Sequence, residues 1–150
     1  MSSTLNDERA AIEGRIATEM VIAPAYPVSY QNVPYAPPNS TPWLQVSITF
    51  GDANYATLIA PGTGFNRHNG VLAVNIFTPN GQGAGANYTI GERIKDLFDR
   101  AKFSGIIFDA PSGPSIVGAN VIQTGASAAS GLSAAYLQTQ LTATFQAYLD

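Results

Sequence analysis

The sequence predicts an α+β domain with two main helices, and three observations predict it. Residues 43–50 and 136–149 alternate apolar and polar side chains, the period-two pattern of strands with one buried face. Residues 4–20 and 87–102 repeat apolar side chains at helical spacing. Between them, residues 67–98 state one strand, one turn and one amphipathic helix in succession.

At 150 residues the chain suits one domain with a real core. It has 0 cysteines, which excludes disulfides and thiolate metal sites and fits a reducing compartment. A net charge of -3 and a pI near 4.9 exclude a basic surface for gripping nucleic acid. Charged residues make up 11% of the chain, against a usual value of about 25%. Such a surface is either plainly polar and uncharged or covered by other protein. Asp7, Glu8, Arg9, Glu13 and Arg15 interrupt any signal-peptide core near the N-terminus. No apolar run approaches the ~18 residues of a membrane helix, so no membrane partner is expected.

In the first helix, 4–20, Leu5, Ile12, Ile16 and Met20 share a face, and Thr4 with Asp7 resembles a capping box. Prolines 24, 27, 34, 37, 38 and 42 then impose a stiff extended connection, with a short edge strand at 28–30. The prolines lack regular PxxP spacing with basic flanks, which argues against an SH3-type ligand. Strand 43–50 sets Leu44, Val46, Ile48 and Phe50 against Trp43, Gln45, Ser47 and Thr49. Gly51-Asp52 predicts a turn, and 55–60 a further strand. Residues 71–77, apolar apart from Asn75, read as a central strand covered on both sides. Pro79-Asn80-Gly81 is a turn, because Pro presets φ while Asn and Gly tolerate positive φ.

The second helix, 87–102, lines up Ile90, Ile94, Leu97, Phe98 and Ala101, with Arg93, Asp96, Asp99 and Arg100 on the wet side. Thr89 with Glu92 reads as its capping box. A strand at 103–110, a turn at 111–114 and a strand at 116–122 follow. Residues 124–135 are small, and read as a hairpin tip that orders against a neighbour. In the closing strand Leu137, Leu141, Ala143, Phe145 and Leu149 oppose Gln138, Gln140, Thr142, Thr144 and Gln146, with no charge before Asp150. A strand so long and unblunted belongs at the sheet centre or at a subunit interface.

No motif carries catalysis, metal or cofactor binding. The Gly-rich piece 61–64 lacks the Gly-Lys-Ser/Thr of a P-loop, and 81–85 lacks GxGxxG spacing. His68 is the single histidine and has no Cys or nearby carboxylate to work with. With Arg67, it reads as a residue bonding locally or across a subunit boundary.

Five pieces in order carry a family resemblance. They are Asn32-Val33-Pro34-Tyr35-x-Pro37-Pro38; Pro42-Trp43-Leu44-x-Val46; Arg67-His68-x-Gly70; Val74-x-Ile76-Phe77-x-Pro79-x-Gly81-x-Gly83; and Arg93-Ile94-x-x-Leu97-Phe98. Their succession resembles the tail terminator-like proteins of long-tailed bacteriophages. The resemblance implies a mostly antiparallel sheet flanked by helices, in a virion protein assembled in the host cytoplasm. It implies a ring, commonly of six subunits, at the head-proximal end of the tail tube. That ring stops tube polymerisation and meets a neck or head-completion protein, and DNA passes through it without specific binding. Its interfaces would be heterologous. Arg67, His68, Gly81, Gln82, Gly83, Tyr136, Gln138 and Gln140 are the expected interface residues. A tube or connector subunit, or a small ligand-binding domain, is the alternative reading.

Overall fold

Thr4 starts the first helix, α1 (Leu5–Met20), through the capping box that its spacing to Asp7 predicts. The Asp7 N–H donates to Thr4 Oγ1 at 3.2 Å, and the Thr4 N–H donates back to Asp7 Oδ2 at 2.9 Å. The Thr4 N–H bond, with a second donated by Thr4 Oγ1 to Asp7 Oδ2 at 2.8 Å, holds the Asp7 carboxyl below the usual carboxylate range. The box therefore contributes at neutral pH and is lost as pH falls through that lowered pKa. A computed structural model describes residues 4–36, 41–55, 64, 66–79, 83–122 and 134–149.

The remaining elements are β1 (Val28–Ser29), β2 (Trp43–Tyr55), β3 (Asn66–Pro79), α2 (Gly85–Phe98), β4 (Lys102–Phe103), β5 (Ile106–Phe108), β6 (Ser112–Ile122) and β7 (Ala134–Leu149). They form one seven-stranded sheet in the order β1-β2-β3-β7-β5-β4, with β6 also paired to β7. Every pairing is antiparallel except β1 with β2. The predicted α+β class and mostly antiparallel sheet are therefore observed. The closing strand takes the sheet centre: β3 covers one edge of β7, while β5 and β6 divide the other.

Both helices cover the same face. Ile12, Ile16 and Met20 of α1, with Ile90, Ile94 and Phe98 of α2, join Leu44, Val46, Leu72, Val74, Leu141 and Phe145 in one buried cluster. Each such side chain stabilises the fold by about 1.5–3 kcal/mol through burial. Leu5, expected on this face, is 42% exposed, and Glu8 is buried instead. Gly14 lies on the exposed side of α1, with open space where a side chain would be. Replacing it with alanine is expected to add about 0.5–1 kcal/mol of stability. A circular-dichroism melt should rise by about 1–4 °C.

Several boundaries differ from the sequence reading. Gly51-Asp52 is not a turn but lies within β2, where the register to β3 shifts between Phe50 and Ala53. A bulge and a turn share the same Gly-Asp signature. α2 begins at Gly85, so Thr89 is interior and its hydroxyl donates to the Gly85 carbonyl. The predicted box with Glu92 does not form. α2 also ends at Phe98, four residues early, because Asp99 turns extended and Arg100 adopts φ 54°. Ala101 is still buried.

The predicted strand at 103–110 is instead a small hairpin, β4–β5. Its turn residues Ser104 and Gly105 have φ 49° and 76°, the doubly positive geometry of tight hairpins. The turn expected at 111–114 falls earlier, because Ser112 already pairs with Thr142. β3 is central but covered on both sides only at its Phe77 end, while Val71 is 39% exposed. The predicted strand at 55–60, the turn at 79–81 and the small-residue stretch 124–135 lie outside the described residues over 56–60, 80–81 and 124–133; Tyr55 ends β2, Pro79 ends β3, and β7 already begins at Ala134.

Arg93 corrects the reading of α2's wet side. α1 ends without a basic residue in its last turn, so its terminal carbonyls need outside donors. Arg93 supplies them. Its Nη2 donates to the carbonyls of Glu19 at 2.6 Å and Ile22 at 2.9 Å, and Nη1 to that of Pro24 at 2.6 Å. Its Nε also meets Glu19 Oε1 at 2.9 Å. One guanidinium thus ties the two helices together over the sheet.

Candidate functional site

With both helices on one face, the other face of β2, β3 and β7 is left open among the described residues. Period-two alternation decides what it displays. β2 offers Gln45, Ser47 and Thr49; β3 offers Asn69, Val71, Ala73 and Asn75; β7 offers Gln138, Gln140, Thr142, Thr144 and Gln146. Amides and hydroxyls predominate. Gln138 Nε2 donates to Asn75 Oδ1 at 3.0 Å across the β3–β7 pair.

An aromatic group closes one end of this face. Trp43 stacks on Phe77 with centroids 4.3 Å apart, and Tyr136 meets both rings edge-on. Tyr35 leans on Trp43 at 5.2 Å. Burial pushes the hydroxyls of Tyr35 and Tyr136 above the usual tyrosine range. At the opposite end, a cavity of about 410 Å³ is lined by Thr49, Asp52, Asn69, Asp109, Thr144 and Gln146, among others. Thr144 Oγ1 donates to Asp109 Oδ2 there at 2.8 Å.

The edge next to β2 is partly sealed. The Gln31 side chain accepts from the Ile48 N–H at 2.9 Å and donates to Ser47 Oγ at 3.3 Å. It thereby occupies backbone that another strand would otherwise bind.

The structure separates the predicted interface residues. Arg67 and His68 sit at the start of β3, opposite Tyr148 and Ala147 of β7. Gly83 lies past the other end of β3, with φ 75°, and leads into α2. Gln138 and Gln140 are on the open face, Gln140 exposed. Tyr136 is only 1% exposed and packs internally in the aromatic group, so its ring serves this chain's own core. Gly81 and Gln82 lie outside the described residues.

Two functional positions escaped the sequence reading, Asn87 and Gln31. Asn87 continues the buried stripe of Ile90, Ile94 and Phe98, and that spacing was the available signal. Gln31, in a proline-rich connection, carried none. Among the described residues, no group of three or more His, Cys, Asp or Glu could hold a metal ion. No helix among them is long and apolar enough to cross a membrane.

The family model described as phage tail terminator protein matches residues 9–103, well over half of the chain. The chain belongs to the phage tail terminator family. The match runs from α1 through both long hairpin strands and α2 into β4. Membership assigns a structural role in the phage tail. A solved structure at 20% identity shares the fold of this tail terminator family member, with a TM-score of 0.64 over 96% of this chain and 95% of its own. No curated protein sequence matches.

Proposed function

We propose that this protein forms a ring of six subunits on the head-proximal end of the phage tail tube, ends tube growth and joins the tail to a neck protein. The family match carries this reading. The open, charge-poor sheet face supports it, since a subunit covered by copies of itself needs few surface charges. In this reading the mature protein sits in the neck region of the virion after assembly in the host cytoplasm. DNA crosses the lumen without specific binding. Six copies of a chain of charge -3 repel phosphate overall, and a basic wall would hold the duplex by counterion release.

A tube or connector subunit remains the second reading, because the same family-level role in the tail would suit it. Negative-stain imaging of the purified protein, alone and mixed with tail tubes, separates them. Closed rings seated at one end of each tube are expected. Growth into cylinders would instead identify a tube subunit.

A further inference from the structure

We propose that the free edge of β6, over residues 118–122, pairs with the far end of β2 on a second copy and extends the sheet across the subunit boundary. This rests on the ring reading above and names the contact that would build the ring.

Among the described residues, β6 pairs with β7 alone. Edge strands normally carry charges, prolines or bulges that prevent pairing. Pro114 and a register shift between Ile116 and Gly118 blunt the first half of β6. From Gly118 to Ile122 the register with β7 is unbroken. No charged side chain occurs anywhere between Asp109 and Asp150. Beside this stretch, Ile116 and Val117 are 51% and 54% exposed.

A matching edge exists at the other side of the same sheet. β1 and the Gln31 side chain seal β2 only as far as Ile48. Residues 51–55 of β2 are all exposed, with Tyr55 at 80%. Among the described residues, only β3 pairs with them. The bulge and Asp52 blunt β2 at 51–52, but Ala53 to Tyr55 carry no charge and keep register with β3. One chain therefore carries two open, uncharged backbone edges on opposite sides of its sheet, 118–122 of β6 and 53–55 of β2. Identical copies satisfy both when they meet head to tail, the heterologous geometry that closes rings. Pairing β6 with β6 would give a dimer and leave β2 open.

Val117 is the point of attack. It falls in the register shift and pairs with no β7 residue, so a lysine there spares the β6–β7 ladder. The V117K chain is expected to run in light scattering at the subunit mass of 15.7 kDa, with its circular-dichroism spectrum unchanged. The wild type should run at ring mass. Because the chain has 0 cysteines, a Val117→Cys, Tyr55→Cys double variant tests the contact without relying on V117K. Oxidation should give a ladder extending past dimers, while each single variant stays at subunit mass on a denaturing gel. Rings that survive V117K, with no ladder, would overturn this contact and leave the ring reading standing. Dimers from Val117→Cys alone would show a symmetric contact and also overturn it. A wild-type chain that stays monomeric would overturn both.

Discussion

Asn87→Leu is expected to destabilise the protein by about 3 kcal/mol, with a fall of about 6–12 °C in thermal midpoint. Asn87 is 0% exposed, in the first turn of α2. Its amide Nδ2 donates to the carbonyls of Ile76 at 3.3 Å and Leu137 at 3.1 Å, and to Thr139 Oγ1 at 3.3 Å. Its Oδ1 accepts from Thr78 Oγ1 at 2.5 Å. One side chain thus joins α2 to both β3 and β7. Leucine keeps the bulk but strands the buried hydroxyls of Thr78 and Thr139. Each unsatisfied buried group costs about 1–3 kcal/mol. A urea melt should show an earlier midpoint at unchanged slope. A loss below about 1 kcal/mol would mean that the amide does not hold the layers together.

Gly70→Ala should be nearly as damaging, although alanine is the smallest side chain available. A Cβ at Gly70 would lie 2.3, 2.7 and 2.9 Å from three ring atoms of Phe145, its cross-strand partner. The ring covers the bare backbone, and it has little room to retreat. Phe145 is 1% exposed and wedged between Phe50 and Phe108, at centroid distances of 5.6 and 5.2 Å. Overpacking of this kind costs about 1–3 kcal/mol, and the upper end applies here. Chemical denaturation should register that loss, while Gly14→Ala moves the other way. Phe145→Leu on its own should cost stability by removing ring contacts, yet in the double variant it makes room for the new methyl. The two losses should therefore fall short of adding. Full additivity would refute the clash.

The long strands were legible because one face of each is buried and the other is not. Leu44, Val46 and Ile48 in β2, and Leu141, Ala143 and Phe145 in β7, lie in the core as their alternation predicts. The composition of the open face was legible for the same reason. What escaped depends on partners distant in sequence. Arg93 looked solvated because its acceptors at Glu19, Ile22 and Pro24 are 69–74 residues away. Asn87 looked like a helix start because Leu137, 50 residues on, was needed to reveal its role. The end of α2 was overrun because no glycine or proline marks it, and Arg100 takes the positive φ that glycine usually signals.

The strand that unites the sheet is also synthesised after all its neighbours. Until β7 emerges from the ribosome, β3 lacks one partner and β5 and β6 have no place in the sheet. The open backbone of β3 faces aggregation throughout that wait. Folding must then close contacts between segments some 70 residues apart, which makes it slow. A subunit competent for ordered self-association therefore comes into being only once β7 has been made, after every strand that it joins.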